Sequence, residues 1–226
     1  MKKVFLLIGS ILLLASCTLA PFSTEDDTEE NNENNFSAEE DSSLFTETES
    51  SETQNSTFTF ETNDSSYITK KGFTIWGVNQ TNTSDDFEEV KLTLYKSSGN
   101  SDAGYGIVFL KQEVDEKDFL VTVMINTKAQ YIIGKVTDGN FTSISEWKTS
   151  SRLYSGYGIK NTVSVSYDEE NADFVLCFND QKESIFKIDE EINFKNSQSG
   201  FVAVISGSEK FPSIPVKIVY ENNGDE

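Results

Sequence analysis

The chain has 226 residues, a net charge of −20 and no histidine. That composition excludes a histidine-based catalytic or metal centre. With a single arginine, Arg152, and no run of basic residues to neutralise phosphates, it also speaks against nucleic acid as a partner.

Met1-Lys2-Lys3 precedes an apolar segment from Val4 to Ala15, the charged and apolar parts of an export signal. The segment is too short to span a bilayer, which takes roughly 20 apolar residues. It ends in Leu14-Ala15-Ser16-Cys17, which resembles the lipobox of bacterial lipoproteins. The resemblance implies a signal peptide over residues 1–16 and a diacylated Cys17 as the mature N-terminus. It also implies a membrane partner reached through that lipid and a cell-envelope location, with the remainder exposed at the surface. Each buried CH₂ contributes about 0.8 kcal/mol, so two or three acyl chains hold permanently where one does not. Cys177 is then the only other thiol. It lies in the apolar run "DFVLCFN" and reads as a small buried hydrophobe.

From Thr18 to Ser66 there are 14 Asp or Glu, 24 Ser, Thr or Asn and no Lys or Arg among 49 residues. Such a segment has too little apolar surface to offset ordering, and residues 17–66 are expected to form a disordered acidic tether. As a random coil it spans roughly 35–40 Å. Phe36, Leu44, Phe45, Phe58 and Phe60 are among its few apolar residues, read as incidental or as a short binding motif.

Residues 67–221 form one compositional unit, with 222–226 a disordered tail. Val90, Leu92 and Leu94 alternate with Lys91, Thr93 and Tyr95, and Val163, Val165 and Tyr167 with Thr162, Ser164 and Ser166. Period two means strands. Further strand-like runs are "GFTIWGV", "GYGIVFL", "DFLVTVMIN", "QYIIGKV", "FTSISEW", "DFVLCFN", "SIFKI", "GFVAVIS" and "VKIVY". Turn-forming stretches separate them. In "TDGN", Asp138-Gly139 suits the positive φ angles of a tight hairpin between "QYIIGKV" and "FTSISEW". No stretch holds a helical period over a dozen residues, so the fold class is all-β, an antiparallel sandwich or barrel.

Several of these pieces, in order, resemble a bacterial branch of the concanavalin A-like and laminin G-like jelly-roll domains. They are Gly104 to Phe109, the acidic turn "DEKD" into Phe119, Gln130-Tyr131 with Gly134-Lys135, Asn140-Phe141 and Trp147. Gly158 and Asn161 before "TVSVSY", Phe178-Asn179 and Gly200-Phe201 complete the set. The resemblance implies two packed antiparallel sheets in a jelly roll. It implies no single function, because the fold carries lectins, hydrolases, adhesion modules and packing domains.

Retaining hydrolases of this fold carry their acid and nucleophile on one strand as Glu-x-Asp-x-x-Glu, which presents both carboxyls on one face. Within residues 67–221 the nearest approach is Glu113-Val114-Asp115-Glu116-Lys117-Asp118, which ends in Asp and reads as a solvated hairpin. There is no phosphate loop, metal spacing or dinucleotide fingerprint. The expectation is therefore no catalytic residue, no metal, no cofactor and no enzyme.

Aromatic rings can stack on sugars or anchor a protein interface. Trp76, Tyr105, Tyr131, Trp147, Tyr154 and Tyr157 are the candidates, and "SRLYSGYG" gathers Arg152, Tyr154 and Tyr157 soon after Trp147. The ligand-binding set expected from sequence is Trp147, Arg152, Tyr154, Tyr157 and Tyr131, against the competing reading that these aromatics fill a core. The expected function is a lipid-anchored binding or adhesion module for a glycan or an extracellular protein. Its alternatives are a glycan-processing enzyme or accessory module, and a structural envelope protein without a ligand. For the anchor, Cys17→Ser should abolish labelling by a fatty-acid analogue and release the protein from membranes; undiminished labelling would refute acylation at Cys17.

Overall fold

The computed structural model describes residues 36–49, 56–62, 70–114, 116–210 and 213–222. Cys17, the signal segment and the tether up to residue 35 lie outside the described residues, as does the tail from 223 on. In chain order the strands begin with β1 (Phe36–Glu40), β2 (Phe45–Glu49) and β3 (Ser56–Glu61), followed by β4 (Phe73–Thr81) and β5 (Val90–Ser98). A meander follows: β6 (Tyr105–Val114), β7 (Lys117–Ile125), β8 (Gln130–Thr137), β9 (Asn140–Ser143) and the two-residue β10 (Lys148–Thr149). The rest are β11 (Asn161–Asp168), β12 (Asp173–Phe178), β13 (Gln181–Phe186), β14 (Gln198–Ile205) and β15 (Lys217–Asn222).

These strands form an eight-stranded sheet, order β10-β8-β7-β6-β14-β4-β1-β9, and a seven-stranded sheet, order β13-β12-β11-β5-β15-β3-β2. The expected two-sheet sandwich is the fold observed. Its main core lies between the sheets, where Ile107, Phe109, Val121, Val163, Phe174, Phe178 and Phe201 are each at most 1% exposed.

The eight-stranded sheet does more than cover that core. β9 pairs with β8 on one side and with β1 on the other, while β1 pairs in parallel with β4. The sheet thus closes on itself as a ring of β8, β7, β6, β14, β4, β1 and β9, and closure removes exposed edges. A second apolar cluster, with Trp76, Val108, Leu120, Met124, Val136, Phe141 and Val202, fills the ring. β7 is consequently buried at every position from Phe119 to Ile125, with one core on each face. That explains why "DFLVTVMIN" is a continuous apolar run whereas β5, covered on one face, alternates.

The closing turn is the one expected: Asp138 (φ 53°) and Gly139 (φ 74°) join β8 to β9 with Thr137 opposite Asn140. "FTSISEW" departs from expectation, because strand structure ends at Ser143 and resumes only at Lys148. Phe141 then lays its ring on Gly134. A Cβ there would stand 2.3 Å from the ring, so only glycine fits beneath it.

The tether boundary needs correction. Residues 36–40, 45–49 and 56–61 are strands, so the folded part includes these segments and does not begin at 67. Phe45, Phe58 and Phe60 are buried, packing with Phe201 and Tyr220 at ring-centroid distances of 4.5–5.9 Å. Composition misled here because Glu47, Glu49 and Glu61 lie on these same short strands, so an average over the segment masks the period-two pattern of "TFTFE". We expect Phe60→Ala to cost about 3–5 kcal/mol in denaturant unfolding. A chain starting at Glu33 should melt like the parent, whereas one starting at Asn63 should not fold cooperatively; equal melting of both would restore the long tether.

Candidate functional site

One end of the ring is open and the other is stopped. At the stopped end Lys111 lies over Trp76, its Nζ 5.1 Å from the ring centroid, and pairs with Glu40 at 3.2 Å and Asp118 at 3.4 Å. The Glu113–Asp118 pair belongs to the β6–β7 hairpin there. Both residues are solvent-exposed, as expected, and Asp115 lies outside the described residues.

At the open end, where β4, β6 and β8 begin and β7, β9 and β14 finish, there is a cavity of about 530 Å³. Its floor is apolar: Met124 of β7, Ile132 of β8, Phe141 of β9 and Val204 of β14. They meet because alternation along each strand sends these positions into the ring. Trp147, 38% exposed, stands in the wall with Asp102 and Glu146, and Thr74, Ser143 and Ser206 add hydroxyls to the lining. The indole edge reaches 3.3 Å from where a Cβ on Gly104 would be. Asp102 forms an ion pair with Lys128.

A second cavity of about 400 Å³ lies across the 99–102 loop, lined among others by Tyr157, Glu209 and Ile214, with Asp102 common to both. The loop between them is held from below. Lys96, at the fourth inward position of β5 after Val90, Leu92 and Leu94, is 0% exposed and donates to the Asn100 carbonyl at 2.8 Å and the Ala103 carbonyl at 3.2 Å. The buried Glu209 carboxylate accepts from the Asn100 amide at 2.8 and 3.0 Å. Burial lowers the Lys96 pKa to about 8, with the Glu209 and Asp102 charges opposing the shift. Burial likewise raises neighbouring Tyr105 to about 12.

Of the residues expected from sequence, Trp147 lines the ring's mouth and Tyr157 the second cavity, its hydroxyl donating to the Gly99 carbonyl at 2.6 Å. Tyr154 is 56% exposed, and its backbone is clamped by the Asn161 amide at 2.8 and 3.0 Å. Arg152 is engaged by Glu183 of β13 at 2.9 Å and does not line either cavity. Tyr131 is a correction: it is 3% exposed, in the sandwich core with its ring centroid 5.1 Å from that of Phe178, and it has no face to offer a ligand. Trp76 and Tyr105 are core residues as well. The Cys177 thiol is pushed up by burial, the opposite of an activated nucleophile. Sequence reading missed Asp102, Glu146 and the apolar floor. The adjacent "EW" was a usable signal for Glu146, while the floor residues look like any inward strand position.

No family model matches the chain, and no curated protein does. Solved structures do. A β-glucanase from Bacillus licheniformis superposes with a TM-score of 0.52 at 9% identity, over 84% of this chain and 85% of its own. A family GH16 protein from the mixed-linkage glucan locus of Bacteroides ovatus, solved with a product, superposes with a TM-score of 0.50 at 10% identity, over 84% of this chain and 89% of its own. The fold is therefore the concanavalin A-like jelly roll these glucanases share. The expectation that the chain is no enzyme is overturned by the same comparison, since the structures it matches over most of its length include a glucan-cleaving enzyme.

The Lys96 pKa sets a pH dependence. Between about pH 8 and the usual lysine value of 10.5 the unfolded chain holds a proton that the folded chain has released, so stability rises with pH there. The opposite trend sets in above about pH 10, where unfolded tyrosines ionise while Tyr105 and Tyr220 stay protonated in the fold. Melting temperature should therefore increase from pH 7.5 to about 9.5 and then fall. In Lys96→Met the rise should vanish whatever its baseline stability; a rise that persists would assign it to another group.

Proposed function

We propose that this chain is a glycan-processing protein whose working site is the open mouth of the ring. Trp147 stacks on a sugar ring there, and Asp102 and Glu146 supply carboxylates. The observation that carries this reading is the convergence of one partly exposed indole and two carboxylates on a single cavity. The fold shared with glucanases supports it. Glycoside cleavage needs one carboxyl group to protonate the leaving oxygen and a second to act as nucleophile or base. Asp102, fixed by Lys128, and Glu146, adjacent to the indole, are the pair available at this mouth. A second reading, an accessory module that holds a glycan for another catalytic unit, is favoured by the apolar floor and by the lack of a Glu-x-Asp-x-x-Glu pattern on any strand among the described residues. Anchoring through acyl chains on Cys17 is part of the same proposal.

The purified chain should retain or cleave members of a glycan panel that includes mixed-linkage β-glucan. Trp147→Ala should weaken capture roughly thirtyfold, the effect of losing a hot-spot aromatic. Glu146→Gln or Asp102→Asn should lower release of reducing ends a hundredfold or more, the scale of general acid–base catalysis. All three side chains lie at the rim, so melting temperatures should hardly change. Capture without product, unaffected by the amide variants, would select the accessory module; neither capture nor cleavage of any glycan would sink both readings.

A further inference from the structure

The distribution of polar atoms inside the mouth says more about the ligand than its rim does. Met124, Ile132 and Phe141, each at most 6% exposed, together with Val204 give the floor no nitrogen or oxygen donor or acceptor in their side chains. The carboxylates belong to exposed Asp102 and Glu146 at the lip. Below the floor the ring is packed with Val108, Leu120, Val136 and Val202, and at its far end Lys111 lies over Trp76. The cavity is therefore blind: a chain cannot thread through it, and whatever enters does so by one end.

A pyranose carries a hydroxyl on most of its ring carbons. Each hydroxyl buried without a partner costs about 1–3 kcal/mol, and the Thr74 hydroxyl is the one polar side chain in the lining that is itself buried. A bare sugar therefore stays at the lip, where Trp147 and the carboxylates are, and leaves the floor empty. An alkyl, acyl or aryl group has the opposite preference, gaining about 0.8 kcal/mol for each CH₂ it buries. A volume of about 530 Å³ is that of an ordinary small-molecule pocket.

We infer that the ligand of this mouth is a sugar bearing an apolar substituent, an alkyl, acyl or aryl glycoconjugate. Its substituent fills the blind cavity while the sugar lies against Trp147 between Asp102 and Glu146. The inference rests on the proposed glycan site and narrows its substrate from polymeric glycan to an amphiphile.

The test is titration of the full-length wild-type chain with methyl, butyl and hexyl β-glucoside below their aggregation limits, an unsubstituted β-glucan oligosaccharide, and hexanol. Affinity should tighten about three- to fourfold per added CH₂, and hexanol should bind at least tenfold more weakly than hexyl glucoside. Val204→Trp, which fills the cavity, should erase the dependence on chain length while the methyl glucoside still binds. The wild-type series decides the matter even if that variant does not fold. Equal affinity along the series, or an oligosaccharide that outbinds hexyl glucoside, overturns the inference and leaves the glycan site standing. Hexanol binding as well as hexyl glucoside overturns both, because the lip would then read no sugar. Binding by none of the alkyl probes at millimolar concentration overturns the inference, and the glycan panel separately decides the site.

Discussion

The contact on which the rest of the structure depends is the Phe141 ring lying on Gly134 across the β8–β9 hairpin. An ordinary sandwich sheet leaves its outer face to solvent. Here the hairpin folds back far enough for β9 to take β1 as a second partner, and β1 reaches β4. The missing Cβ at 134 is what lets the ring sit so close to the strand, and the ring in turn gives the interior an apolar wall. Dispersion contacts and burial then reward closure, since a face carrying Trp76, Leu120 and Val202 is removed from water.

Closure has a consequence at each end. Where Lys111 can reach a ring face and two carboxylates, the ring is stopped by a cation whose aliphatic stem is covered. Where Gly104 carries no side chain and β9 breaks off at Ser143, space remains beside Trp147. The seven-stranded sheet has no such closure and keeps two edges, β2 and β13. β2 carries Glu47, and β13 carries Lys182 and Glu183, charges that discourage further strand pairing.

The loop shared by the two cavities takes its shape from charges in the sandwich interior. Lys96 occupies an inward strand position that pattern alone assigns to an apolar residue, and Glu209 meets the same loop from the β14–β15 connection. A buried cation and anion both spend their hydrogen-bonding capacity on the 100–103 backbone. Such an arrangement favours one loop conformation over its alternatives more than it adds to stability. Asp102, at the centre of that loop, is thereby delivered to the rim of both cavities.

The sequence by itself determined the all-β class, the position of most strands, the Asp138-Gly139 turn and the exposed acidic hairpin. Each of these follows from local periodicity or from φ preferences of single residues. It also singled out Trp147. Only the tertiary structure decided that Phe45, Phe58 and Phe60 belong to the core, that Tyr131 is enclosed, that Arg152 is tied to Glu183, and that Met124, Ile132, Phe141 and Val204 surround a cavity. The reason is physical: alternation reports that a side chain faces inward, but which interior it faces depends on the curvature of the sheet. The hairpin turn brings Phe141 onto Gly134, but the curvature is completed by the pairing of β9 with β1 and of β1 with β4, segments far apart in the chain whose meeting no local pattern encodes.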